Sequence, residues 1–240
     1  MPFFGKKERR NILIKMYKVV DKGNVMDYFK KNFIDSLLLL ASNCSKSEFS
    51  YIELNYGEIV ANSRKKLETI LAKKANNHIE CLLATNENSS LYFSLMSLSS
   101  KRKPNKKTIK VTLAIEEHNF EYDDLSQVFV SFYELLKIEY GYGFVMSGKY
   151  DFENERKVKS NIFGEVVSVE QEDIDFNNNL PMIEEGFLRK LYNTNFLNTA
   201  QWNFLEKMNE KGVGEKSRIN EHIYLLNLNN EEVNYLNNRL

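Results

Sequence analysis

Three stretches of this 240-residue chain hold residue types and spacings that invite chemistry. Gly143-Phe144-Val145-Met146-Ser147-Gly148-Lys149-Tyr150 has the GxxxxGK spacing of a phosphate-binding loop. Such a loop needs a Ser or Thr after the lysine to reach magnesium, and an open cradle of backbone N–H groups. Tyr150 stands where that hydroxyl belongs, and the four intervening residues are largely apolar. The stretch therefore reads as a strand ending at a glycine turn, with no nucleotide site. His78, His118 and His222 have no His, Cys or carboxylate at a metal-ligand spacing. In Glu116-Glu117-His118 neighbouring side chains alternate across a strand and do not converge. Cys44 and Cys81 form no metal or redox motif, and two thiols in a chain of this size point to a reducing compartment. No catalytic group, metal or cofactor is expected; an enzyme here would need residues assembled from distant parts of the chain.

The second and third stretches are blocks of charge. Net charge is zero, yet residues 1–110 hold 21 Lys+Arg against 10 Asp+Glu, and residues 111–240 hold 12 against 23. Such polarity means either complementary packing within the molecule or a charged face for a partner. The basic block is KRKPNKK at residues 101–107. It could grip phosphates but lacks interleaved aromatics to stack bases, so a solvated hairpin tip explains it as well. The acidic block is Glu165, Glu170, Glu172, Asp173, Asp175, Glu184 and Glu185, uninterrupted by Lys or Arg. It is either a solvated loop or the complement of a cationic partner.

The elements that must position these groups follow from hydrophobic periodicity. Residues 11–20 alternate loosely, as a strand or a short helix. Residues 27–41 have helical spacing, residues 49–60 alternate as a strand, and the pattern is helical again from Asn62. Strands are expected over 78–85, 90–98 and 108–117, the first two joined by a turn at Asn86-Glu87-Asn88. Asp123 or Asp124 caps a helix running to about Ile138, and a strand follows over 141–150. Further on, residues 162–169 and 223–228 read as strands, and 184–192, 201–208 and 231–240 as helices. The expected fold class is α+β: a mixed or mainly antiparallel sheet with helices packed largely on one face. Residues 1–240 read as a single domain, with a subdivision near 150–160 as the alternative. No apolar run is long enough to span a membrane and the N-terminus lacks the pattern of a signal peptide, so a cytoplasmic location is expected.

One further stretch, GFLRKLYNTNFL at residues 186–197, looks by itself like a helix terminus with Asn193 or Asn195 at its end. Its Gly186, Leu188, Arg189, Tyr192, Asn195, Phe196 and Leu197 resemble a Gly-x-Leu-Arg-Asp-Val-Tyr-Pro-x-Asn-Phe-Leu type segment. That segment occurs late in bacterial immunity proteins of polymorphic and type VI secreted toxin systems. Lys190, Leu191 and Asn193 depart from the pattern. The resemblance implies a non-enzymatic protein that binds and neutralises a cognate protein toxin by occlusion, with the acids of 165–185 facing a basic surface. The alternatives are a nucleic-acid-binding accessory protein using the basic half and an enzyme with a dispersed active site.

Overall fold

The segment NILIKMYKVV forms the heart of strand β1 (Arg10–Asp21). Its residues are buried on both faces because β1 lies inside a ten-stranded sheet whose pairs are all antiparallel. The computed structural model describes residues 9–45, 47–55, 59–61, 66, 69, 79–122, 124–161, 164–166, 171–209 and 212–240. The other sheet strands are β2 (Tyr51–Leu54), β3 (Ile59–Ala61), β4 (Cys81–Thr85), β5 (Leu91–Ser99), β6 (Lys106–Glu116), β7 (Tyr140–Ser147), β12 (Thr194–Asn198), β13 (Glu215–Arg218) and β14 (Ile223–Asn227). Their order is β13-β14-β12-β7-β1-β6-β5-β4-β2-β3. The sheet thus takes strands from both sides of residues 150–160. Two small hairpins stand apart from it, β8 (Tyr150–Asp151) with β9 (Arg156–Lys157), and β10 (Lys159–Asn161) with β11 (Gly164–Val166).

Strand alternation divides the side chains between two cores. Ile12, Ile14 and Met16 point to one face, with Phe93, Val111 and Leu113 from neighbouring strands. Helices α1 (Lys31–Asn43) and α2 (Leu125–Leu136) cover it through Leu37, Leu38, Phe129 and Phe132. Each fully buried side chain of this kind stabilises the fold by about 1.5–3 kcal/mol. Asp124 caps α2 by accepting from the Ser126 N–H at 3.0 Å. Gly141 is required beneath this helix, since a Cβ there would sit 2.6 Å from the Phe129 ring.

Tyr17, Tyr140, Tyr142 and Leu226 face the other way and meet Phe176, Leu180, Trp202 and Leu236. These come from α3 (Gln171–Asn179), a 3-10 turn (Leu180–Glu185), α4 (Thr199–Met208) and α5 (Asn230–Asn237). The fold class is α+β with an antiparallel sheet, as its periodicity predicts, but helices occupy both faces.

Other expectations need correction. The single strand expected over 49–60 is two strands instead: Asn55 takes φ 48° just after β2, and β2 and β3 pair antiparallel. No helix spans 184–192: the 3-10 turn stops at Gly186, φ 97°, and the chain then runs irregularly into β12. Leu188, Leu191 and Tyr192 have helical spacing, but Leu191 and Tyr192 are buried from an irregular stretch of backbone. Strand β13 lacks any apolar alternation and was not expected. The helical pattern after Asn62 lies outside the described residues except for Lys66 and Thr69, both helical. His78, Asp123 and most of 162–169 also lie outside them.

Candidate functional site

The densest group of ionisable side chains lies under the β8–β9 hairpin, on the sheet face opposite α1 and α2. Asp151 shapes the hairpin tip by accepting from the N–H groups of Glu153 and Asn154, at 2.9 and 3.2 Å. Glu155 adopts φ 57°, which turns the chain back toward β9. Two carboxylates are thereby lowered onto two lysines from adjacent central strands. The Lys15 ammonium pairs with Glu155 Oε1 at 2.9 Å and donates to the Glu153 carbonyl at 2.7 Å. Lys110 pairs with the Glu153 carboxylate. Hydroxyls complete both carboxylates: Ser94 and Tyr92 donate to Glu153, the latter at 2.8 Å, and Tyr142 and Tyr192 donate to Glu155, the latter at 2.6 Å. Tyr142 and Tyr192 also stack at 4.0 Å.

Burial alone would raise both carboxyls, but the lysines and hydroxyl donors outweigh it and hold Glu153 and Glu155 at about 2. Burial pushes the Lys15 ammonium down to about 8, against the pull of Glu155. All of these carboxylates and Lys15 are therefore charged at neutral pH. Burial and then the Glu155 charge push the Tyr17, Tyr142 and Tyr192 phenols well up, so they act as donors and not as bases. The space left in this cluster is about 20 Å³, room for about one water molecule. Its charges are spent on one another, and its chemistry is that of a polar latch.

Asp173 extends the latch. It accepts from Arg156 at 2.9 Å on one oxygen and from Arg189 at 2.9 Å on the other, with 6% of its side chain exposed. Arg189 also lies 5.0 Å from the Phe176 ring. The stretch at 186–197 is thus a set of attachments: Arg189 to Asp173, Tyr192 to Glu155, and Phe196 stacked on Phe129 at 5.7 Å. Asn195 is wholly buried, accepts from the Tyr192 N–H at 2.9 Å, and donates to the carbonyls of Tyr192 and Leu226.

The acids expected to face a partner have different fates. Asp173 is buried in the latch and offers no surface charge, a correction that follows from its two arginine partners. Asp175 is exposed and accepts from Gln171 at 3.0 Å. Glu184 and Glu185 are exposed but pair with Lys106 and Lys103 of the basic block. The two charge blocks therefore pack in part against each other. Glu165 lies in β11 and Glu172 in α3, while Glu170 is outside the described residues. The basic block is a turn running into β6, with Lys107 also reaching Glu80 at 3.5 Å. His118 and His222 are exposed, and Cys44 and Cys81 are buried and free, the Cys44 thiol pushed up to about 12 by burial. Among the described residues no group of three His, Cys, Asp or Glu is placed to hold a metal. The GxxxxGK stretch is β7 running into a turn at Gly148, φ 93°. Among them, too, no helix is long and apolar enough to cross a membrane.

Sequence reasoning missed Lys15, Lys110, Glu153 and Glu155. The available signal was Lys15 itself, a cation flanked by Ile14 and Met16 in a strand apolar on both sides. Such a lysine must find a carboxylate.

No family model matches the chain, and no curated protein matches it. Among solved structures it is similar to the Pseudomonas aeruginosa T6SS protein PA0821, with a TM-score of 0.55 and 10% identity. The likeness covers 96% of this chain and 75% of that one, and it is a likeness of fold.

Proposed function

We propose that this chain is an immunity protein that binds a cognate bacterial toxin and neutralises it by occlusion, without catalysis. The observation that carries the reading is the fold shared across 96% of the chain with a T6SS protein. The resemblance at residues 186–197 supports it independently. The closed latch adds to it, because interior charges spent on one another leave recognition to the outer surface. The toxin-facing surface is centred on Asp175, Glu184 and Glu185, with Glu165, Glu170 and Glu172 nearby in sequence. A basic toxin surface would compete with Lys103 and Lys106 for Glu185 and Glu184. Acids at such a rim act mainly on the rate of association.

The test is association kinetics with the product of a toxin gene adjoining this chain's own. Changing Asp175, Glu184 and Glu185 together to Lys should slow association about tenfold at low salt and flatten its salt dependence. An unchanged rate at every ionic strength would remove the acidic surface from the account.

A further inference from the structure

Among the described residues strand β13 ends the sheet and pairs with β14 alone. Partners across an antiparallel ladder share a face, so Glu215, Ser217, Leu225 and Asn227 point one way and Lys216, Arg218, Tyr224 and Leu226 the other. The second side is committed. Lys216 lies 5.4 Å over Trp202, Arg218 lies 5.8 Å over Tyr224, and those two rings stack at 4.7 Å. The first side is open: a groove of about 480 Å³ separates α2 from the edge, lined by Asp124, Val130, Glu215, Leu225 and Asn227. Within it the Asn227 Oδ1 is buried and accepts no hydrogen bond among the described residues. Glu215 makes no ion pair among them either.

The backbone is also oriented. The Ile219 N–H donates to the Ile223 carbonyl at 2.9 Å, closing the β13–β14 turn. Alternation from that pair directs the N–H and C=O of Ser217 and Glu215 toward β14, and those of Lys216 and Arg218 outward. We propose that β13 receives an extended segment of a partner protein as an added strand, whose Arg or Lys side chains enter the groove toward Glu215, Asp124 and the Asn227 Oδ1. Main-chain bonds to Lys216 and Arg218 supply the attachment, and the acidic groove supplies the selectivity. A second copy is a poor occupant, since antiparallel β13 strands would set Lys216 and Arg218 of each against those of the other. The same cations guard the edge against indiscriminate pairing. That the partner is a toxin rests on the proposed function; the strand site does not.

The experiment uses the full chain and a synthetic peptide, Thr-Arg-Val-Arg-Val-Arg-Thr, followed by backbone NMR. Saturable shifts are expected at the amides of Lys216 and Arg218 and at the Asn227 side chain, and the Thr-Glu-Val-Glu-Val-Glu-Thr peptide should give none. Lys216→Pro removes an outward N–H while sparing the bonds to β14, and should weaken the arginine peptide at least about tenfold. Glu215→Lys should do the same through the groove, and Lys216→Ala should stay within about twofold because it keeps the N–H. Absent shifts at the edge, equal binding of both peptides, or undiminished binding to both Lys216→Pro and Glu215→Lys would overturn the inference. No toxin enters this experiment, so its failure leaves the immunity proposal standing, and a failed toxin challenge removes that proposal alone.

Discussion

Glu155→Gln is the sharpest probe of the latch. The substitution keeps shape and removes one charge, leaving the Lys15 ammonium, 2% exposed, with the Glu153 carbonyl at 2.7 Å as its close acceptor. It also weakens the bonds donated by Tyr142 and Tyr192, since a carboxylate accepts more strongly than an amide. Breaking one partner of a buried pair costs about 3–5 kcal/mol, because the other charge is left uncompensated. For a domain of this size each kcal/mol lowers Tm by about 2–4 °C, so the variant should melt roughly 6–20 °C below the wild type. Urea unfolding followed by circular dichroism, with calorimetry for Tm, measures both quantities. Lys15→Met combined with Glu155→Gln should recover at least half of the loss, as removing both charges also removes the desolvation cost. A loss below about 1 kcal/mol in the single variant, a value typical of a solvated pair, would refute the reasoning.

Acid should open the same latch. Glu153 and Glu155 are held at about 2, below their unfolded value of 4.5, so their stabilisation is present above that value and lost as pH falls through 2. Urea midpoints should drop between pH 4.5 and pH 2, and in Glu155→Gln the drop should be smaller; equal slopes would contradict this. Asn195→Ala strands the buried Tyr192 N–H and removes the side chain's bonds to the Tyr192 and Leu226 carbonyls, and should cost about 3 kcal/mol, measured by urea unfolding. Gly186→Ala meets both φ 97° and the Ala200 carbonyl 3.2 Å from the new Cβ, so it should lose about 1–3 kcal/mol by the same measurement.

Much of the sheet was legible because its long strands are apolar runs rich in β-branched and aromatic residues, bounded by polar turns. Strands β5 and β6 and the capped α2 after Asp124 appear where their patterns place them, while residues 11–20, open to strand or short helix, form β1. The stretch at 186–197 misled because Leu188 and Leu191 repeat at helical spacing, while the deciding contacts of Arg189 and Tyr192 reach Asp173 and Glu155, 16 and 37 residues away. Asp173 read as one acid among seven for the same reason: its two arginines are remote in sequence. The Lys15–Glu155 pair spans the chain from β1 to the β8–β9 tip, a separation no local pattern records. Strand β13 has the sequence EKSR, which carries no apolar signal, and it exists because β14 offers a ladder.

The central claim is neutralisation, and a survival assay tests it directly. The gene adjoining this chain's own, where its product is a toxin, would be expressed in a sensitive host, with and without this protein at matched levels. The account predicts that growth is restored and that the two proteins elute as one complex. Continued killing with this protein present and folded would contradict it.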